Sequence, residues 1–544
     1  MAVRRWNGWG DDSIETALQP GALAFLHQQI GATAAPSDAA LAAVLAQLPP
    51  SRLPPHPQVS TDAEARLRAS FGQSLGDWLR LRFGRIGAVS DGVAWPESSA
   101  QVRELLDWAS EVGAIVIPCG GATSVVGHLS PPEDPRPVLT LMMGRMRKLL
   151  SLDSTAQLAR FEAGVLGPDL EAQLRAQGWM LGHYPQSFEY ASLGGWVVTR
   201  SSGQQSARYG RIEQLFAGGR LETPRGTLQI PTLPASAAGP DLREWVLGSE
   251  GRLGVLTEAT VRISRLPERE EFIGVFLPSW QAGEAAVRAL AQARLGLSMM
   301  RLANPVETLT TLRLAGHEAQ IAWLERYLAW RGCGEGKVLL MLGFSGGARQ
   351  LRAMQALARP ILKAQGGVST GTLLGKKWAA NRFKGVYLRN ALWAQGYAVD
   401  TMETAVDWSR VPAMMAAMES AGREALAGFG ERCHAYTHLS HVYAQGSSVY
   451  TTFVFRIGGD FDSAMARWKA LKQGVSQAIV NQGGTISHQH GVGKDHAAYL
   501  GAEKGATGMA ALQAMVDHFD PQGLLASGNL LPPATPAQPG RSGR

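Results

Sequence analysis

The tightest constraint on this 544-residue chain is a short β-branched run that breaks into small residues. Ile115-Val116-Ile117 leads into Pro118, and Cys119-Gly120-Gly121-Ala122-Thr123-Ser124-Val125-Val126-Gly127 follows. The apolar run reads as a buried strand that ends at the proline. Small residues beyond it let consecutive backbone N–H groups converge on one concavity, a geometry that suits a pyrophosphate. Thr123 and Ser124 can add hydroxyl donors. A plain strand-to-turn corner accounts for these residues equally well. No G-x-G-x-x-G opens a helix here, so the nicotinamide fingerprint is excluded.

Two later stretches share this character. One is Pro185-Gln186-Ser187-Phe188-Glu189-Tyr190-Ala191-Ser192-Leu193-Gly194-Gly195-Trp196, continuing to Thr199-Arg200-Ser201-Ser202-Gly203. The other is Leu247-Gly248-Ser249-Glu250-Gly251-Arg252-Leu253-Gly254-Val255-Leu256-Thr257-Glu258. At Gly194 and Gly195 the backbone can approach a ligand where any β-carbon would intrude. Ser201, Ser202 and Gly203 can donate to phosphate or sugar oxygens, although an ordinary polar turn has the same composition.

In this order and spacing, the three segments resemble the FAD-contacting segments of the vanillyl-alcohol-oxidase/PCMH-type flavoproteins. The resemblance implies an α+β fold, with a two-part PCMH-type FAD-binding domain and a cap domain whose antiparallel sheet is covered by helices. It implies FAD held non-covalently by Pro118, Cys119, Gly120, Gly121, Ala122, Thr123 and Ser124 in the first segment. In the second it implies Gln186, Ser187, Ser192, Leu193, Gly194, Gly195, Thr199, Arg200, Ser201, Ser202 and Gly203. In the third it implies Glu250, Gly251, Leu253, Gly254, Val255 and Leu256. No histidine precedes His128 in the first loop to carry a covalent flavin link.

The expected domains are a helical N-terminal extension (1–80), the FAD-binding domain (81–266), a cap (267–483), a segment returning to the FAD domain (484–531) and a disordered tail (532–544). In the extension, Asp12-Ser13-Ile14-Glu15 and Ser37-Asp38 read as helix caps, the second opening a helix through Val44 and Leu48. A helix with apolar Val102, Leu105, Leu106, Trp108 and Ala109 should precede the Pro118 strand. Another from Pro168 to Gln177 should bury Leu170, Ala172 and Leu174. In the cap, strands are expected at Glu271–Leu277, Val338–Phe344 and Ser448–Phe455, with a helix from Ala348 stopped by Pro360.

Apolar residues make up 45% of the chain and charged residues 18%, as in a globular protein. The net charge of +7 is scattered without a block of like charge, which argues against nucleic-acid binding. Three widely spaced cysteines suit a reducing cytoplasm and no disulfide framework. There is no signal-peptide pattern and no apolar run of membrane-spanning length. A soluble cytoplasmic protein is expected, with peripheral membrane contact left open.

The densest polar cluster is Ser487-His488-Gln489-His490-Gly491-Val492-Gly493-Lys494. Imidazoles move protons near neutral pH. A metal would need a third ligand, which His438-Leu439-Ser440-His441 could supply, but no carboxylate neighbours either pair in sequence, so proton transfer is the stronger reading and no metal is expected. Tyr450 lies in a strongly β-patterned run and Arg389 on a helical one. Arg301 follows an apolar stretch, where a half-buried guanidinium needs an anionic partner.

These residues carry a closer resemblance. With the tryptophan-rich start Trp6-Asn7-Gly8-Trp9 and Ile486 through Leu531, the chain is similar to the alkyldihydroxyacetonephosphate synthases, FAD enzymes of ether-lipid formation. Ser-His-x-His-Gly-Val-Gly-Lys is the most discriminating part. The resemblance implies that Tyr450, His488, Gln489, His490 and Arg301 are catalytic and that Arg389 binds the substrate phosphate. It implies exchange of the acyl group of a lipid-like acyl-dihydroxyacetone phosphate for a fatty alcohol through a flavin adduct, in a homodimer. Gln489 departs from the family's middle histidine, Ala122 from a third loop glycine, and Gln186 from an aspartate. The competing reading is an FAD-linked dehydrogenase or oxidase of a 2-hydroxy acid or related alcohol.

Overall fold

A computed structural model describes residues 3–314 and 318–532. The expected disordered tail lies, from residue 533 on, outside the described residues.

The first lobe holds two main sheets. In the four-stranded one, Gly92–Ala94 and Ile115–Cys119 each run parallel to Val138–Met142, and Val59–Ser60 from the N-terminal segment pairs antiparallel to Gly92–Ala94. Helix Ser99–Glu111 covers this sheet with Val102, Leu105, Leu106 and Ala109, spaced at helical intervals and buried. The second sheet is antiparallel, in the order Leu149–Asp153, Leu158–Glu162, Val255–Arg262, Phe216–Thr223, Gly226–Ile230.

The cap is a seven-stranded antiparallel sheet. Its order is Val368–Ser369, Arg269–Leu277, Val338–Gly346, Met299–Ala303, His434–Leu439, Gly446–Arg456, Tyr397–Asp407. Helices Val411–Ala427 and Phe461–Asn481 pack beside it. Gly422 permits this contact, because a Cβ there would overlap the ring of Phe453. After helix Leu500–Phe519 the chain returns to the first lobe. Val116 N–H donates to the Leu524 carbonyl (2.7 Å) and Ala526 N–H to the Val116 carbonyl (2.9 Å). This fastens the last described segment beside the Pro118 strand. Among the described residues no helix is long and apolar enough to cross a membrane.

Several local expectations are corrected. No helix opens at Asp12–Glu15; Asp11 and Asp12 instead accept turn N–H groups of Ser13 and Val3, and the first helix is Pro20–Ile30. The next covers only Leu41–Leu45, leaving Leu48 outside. The strand continues through Pro118 to Cys119. On helix Gly167–Arg175 the buried neighbour of Leu170 is Glu171, which accepts from Leu181 and Gly182 N–H, while Ala172 faces out. Helix Ala348–Ala364 runs through Pro360, because Leu351, Met354, Ala358 and Leu362 bury one continuous stripe on both sides of it.

Candidate active site

A cavity of about 630 Å³ lies between the lobes, of a size usual for a cofactor and its substrate. The Pro118 loop forms one wall, with every residue from Pro118 to Ser124 bordering the space. Its backbone packs tightly on the second segment. A Cβ on Gly121 would overlap the Tyr190 carbonyl oxygen, and one on Gly120 would overlap Ser192 Oγ. Glycine is needed there because main chain meets main chain.

The expected cradle residues divide. Gln186, Ser187, Ser192, Gly194, Gly195, Thr199, Ser201, Ser202, Glu250, Gly251, Gly254, Val255 and Leu256 border the cavity. Four do not. Leu193 and Leu253 point into the core. Arg200 pairs with Glu244 at 2.5 Å, and Gly203 packs against the Tyr184 backbone. Gln186 sits at the rim, where its amide donates to the Arg382 carbonyl (2.8 Å).

Ala122 (φ 54°), Arg200 (φ 52°), Glu250 (φ 52°) and Ala526 (φ 41°) all adopt the left-handed conformation. Each costs about 1 kcal/mol in a residue with a β-carbon, and such strain concentrates where surrounding structure over-determines the backbone. Glu250 shows how this happens. Its carboxylate accepts from Val492 N–H (2.5 Å) and Gly493 N–H (2.8 Å), and its own N–H donates to the Val198 carbonyl (2.9 Å). One residue thus ties the cradle to the histidine loop. At Ala122 a glycine would relieve the strain, so the alanine is tolerated at a small cost.

The opposite wall is one face of the cap sheet. Glu403 lies directly across from Tyr450, and Tyr450 directly across from His438, on three adjacent strands. Directly paired residues share a face, as do residues two apart. Val399, Thr401, Tyr436, Ser440, Thr452, Met299 and Arg301 therefore join them, and all seven border the cavity with Tyr450 and His438.

Tyr450 is wedged between imidazoles. Its ring stacks on His438 (4.7 Å, 20°) and meets His490 edge-on (5.8 Å, 75°). Burial, reinforced by the negative charges of Glu403 and Asp400, holds its hydroxyl well above the usual phenol range. Tyr450 is therefore an O–H donor at neutral pH. His438 Nδ1 lies 3.0 Å from Glu307 Oε2 and 3.2 Å from Arg301 Nη2, and Arg301 pairs with the carboxylate's other oxygen (2.5 Å). Burial and then Arg301 keep His438 below the ordinary histidine range, hence neutral. Arg389 borders the cavity with its guanidinium 4.3 Å above the Trp78 ring and Nη1 donating to the Gln73 carbonyl (2.7 Å). Burial lowers its pKa.

Gln489 and His490 line the cavity, but His488 does not. The expectation that His488 faces the reaction space is corrected. It is turned inward, where its Nε2 takes donors from Tyr443 (2.6 Å) and Arg211 (2.7 Å), and its ring packs 5.0 Å from His441, which does border the cavity. Residues 488–490 form a bend rather than a strand, so the two-residue spacing does not put both imidazoles on one side.

Sequence reasoning missed the carboxylates Glu403, Glu307 and Asp400. An acid inside the otherwise apolar run Met402-Glu403-Thr404-Ala405-Val406 was the available signal. Trp9, which enters the resemblance only as part of the tryptophan-rich start, also borders the cavity. Burial pushes the Cys119 thiol up to about 11, so it is not a thiolate at neutral pH and makes a poor flavin nucleophile.

A glycine-lined cavity closed by a seven-stranded cap defines an FAD-dependent enzyme. Residues 90–230 match the FAD binding domain, and residues 266–530 match the C-terminal domain of FAD linked oxidases. The chain is 30% identical over 482 residues to alkyldihydroxyacetonephosphate synthase of Dictyostelium discoideum, covering 87% of this chain and 79% of that one. It is likewise 30% identical to the Trypanosoma brucei brucei enzyme of that name, over 87% of this chain and 78% of that one. A solved alkyldihydroxyacetonephosphate synthase superposes with a TM-score of 0.83 at 26% identity, covering 98% of both chains. The chain belongs to the alkyldihydroxyacetonephosphate synthase family, and its cofactor is FAD.

Gly121→Ala should give folded but colourless protein, because the added methyl must push the Pro118 loop off Tyr190. The check is the flavin absorbance of purified protein against its circular dichroism.

Proposed function

We propose that this chain, with FAD in the cavity, exchanges the acyl group of an acyl-dihydroxyacetone phosphate for a fatty alcohol, releasing the fatty acid and forming an ether. One observation supports this reading most: Arg389, Tyr450, Gln489 and His490 border the same cavity as the glycine cradle. Bound FAD supplies an electrophilic ring that accepts negative charge developing at the substrate carbon.

The chain supplies the rest. Arg389 is placed to hold the phosphate, since its contacts with the Gln73 carbonyl and the Trp78 face leave its charge unneutralised. Arg301 is less suited, because Glu307 already pairs with it. His490 acts as the base that removes the proton beside the substrate carbonyl. Tyr450, kept as a phenol by burial, donates to the departing carboxylate. Leu314, Trp378, Leu392 and Val399 give the cavity an apolar wall for alkyl chains.

An exposed surface on two helices, one of which borders the cavity through Trp378, fits a lipid substrate. Trp323 (67% exposed) and Trp330 (80%) stand on helix Glu318–Trp330, and Leu373 (77%) begins helix Leu373–Asn381. The inner sides of these helices share one apolar cluster with Leu374 and Trp378, and Trp378 borders the cavity. Lys376, Lys377 and Lys384 are exposed beside Leu373. Tryptophan with lysine is the composition of an interfacial membrane contact.

Given palmitoyl-dihydroxyacetone phosphate and hexadecanol, the flavin-saturated protein should release palmitate and form the ether; absence of turnover overturns the reading. Anaerobic bleaching of the flavin by D-lactate would point to a 2-hydroxy acid instead. Tyr450→Phe should lower kcat by about 10²–10⁴-fold. Arg389→Ala should raise KM for the phosphorylated substrate by about tenfold or more, with FAD affinity unchanged. The wild type should sediment with vesicles containing anionic phosphatidylglycerol, and Trp323→Ala with Trp330→Ala should release it while activity on detergent-dispersed substrate stays.

A further inference from the structure

Glu403 is the carboxylate to which the first half of the histidine loop turns, as its second half turns to Glu250. It lies on strand Tyr397–Asp407 and is 2% exposed. Its Oε1 accepts from the backbone N–H groups of Gln489 (2.7 Å) and His490 (2.8 Å), and Ser487 Oγ lies 3.5 Å away. The same oxygen stands 3.4 Å from His490 Nδ1, and Oε2 stands 3.8 Å from His488 Nδ1. Among the described residues, Oε2 and His488 Nδ1 have no hydrogen-bond partner and face each other across that gap.

The protonation pattern follows from which groups can only donate. Arg211 has no acceptor, so the His488 Nε2 it contacts carries no proton, and the His488 proton sits on Nδ1, facing Glu403. A carboxylate can only accept, so the same logic puts the His490 proton on Nδ1. His490 Nε2 is then the lone-pair nitrogen left for the cavity. Burial alone would push the Glu403 carboxyl up, but His490, His488 and the Gln489 N–H outweigh it and hold it ionised.

We propose that Glu403 is a positioning residue that fixes the tautomer of His490, leaving Nε2 free as the base. This rests on the reading of His490 given above. A carboxylate behind an imidazole does this in other general-base sites, where it both orients the ring and favours its protonated form. The remaining titratable groups facing Glu403 are Tyr450 on the next strand, His438 and His441 beyond it, Tyr443 across His488, and His496 of the C-terminal segment. Of the charged groups around them, Asp400 faces Tyr450, Arg211 and Glu213 face His488, and Lys472 faces His496. None of these other groups is a carboxylate at His490 Nδ1.

The test uses the FAD-loaded full chain with Glu403→Gln and Glu403→Asp. Glutamine removes the charge, and its amide oxygen, held by the Gln489 and His490 N–H groups, is a weaker acceptor for Nδ1 and so holds the tautomer less firmly. Glu403→Gln should lower kcat about 10²-fold or more with KM changed less than threefold, on the scale of a misdirected triad imidazole. The acid limb of kcat/KM should move to lower pH by about one unit, since the base loses a stabilising negative charge. Aspartate keeps the charge on a shorter arm, so its limb should stay near that of the wild type while kcat falls. Independently of turnover, ¹⁵N-histidine spectra should show the His490 signal, assigned with His490→Gln, as Nδ1–H in the wild type and shifted toward Nε2–H in Glu403→Gln. An unmoved acid limb with an unchanged His490 tautomer overturns the proposal. If Glu403→Gln fails to fold, the aspartate variant decides: kcat and the His490 tautomer both unchanged on the shorter arm overturn the proposal too. A wild type inactive on the ether-forming substrates defeats the functional reading only, because the nitrogen spectra still judge Glu403.

Discussion

The site depends first on a main-chain contact. The loop Pro118–Ser124 lies so close to Tyr190–Ser192 that Gly120 and Gly121 have no room for a β-carbon. Two segments about 70 residues apart thus form a single surface that borders the cavity. The contact also explains why strain collects around it. Ala122 and Glu250 are held in unfavourable conformations by neighbours that admit no other arrangement, and Glu250 passes that rigidity to Val492 and Gly493.

Across the cavity a different physics operates. The cap sheet places Glu403, Tyr450 and His438 in one row by register, and the aromatic and imidazole rings stack along it. Desolvation is the dominant influence there. It keeps the His438 imidazole uncharged and the Tyr450 phenol protonated. Glu403 and Glu307 escape neutralisation because each meets cationic or N–H partners at close range. The result is a wall with neutral proton carriers facing inward and their negative counterparts behind them, while the Arg389 and Arg382 guanidiniums border the same cavity without a carboxylate partner among the described residues.

Local sequence signals read well where function and backbone geometry coincide. The glycine loops, the amphipathic helix Ser99–Glu111 and the long cap strands follow directly from residue spacing and size. Errors came where a competing contact outweighed propensity. Asp11 and Asp12 cap a turn rather than a helix, Pro360 is carried by a buried stripe, and Glu171 occupies an inner position because two backbone N–H groups need an acceptor there. Leu193, Arg200, Gly203 and Leu253, which the resemblance assigns to the cradle, do not border the cavity, because adjacent residues face different ways.

The sequence by itself determined the cradle, the pairing of a flavin lobe with a β-rich cap, and the presence of a histidine cluster, because these are written in contiguous residues. Only the tertiary structure decided which histidine reaches the cavity and which carboxylate stands behind it. His490 faces the space and His488 turns toward Arg211 and Tyr443. Glu403 meets them across more than 80 residues of chain. Such meetings are set by strand register and by the side to which a loop bends, and a one-residue slip in either would present the opposite set of side chains.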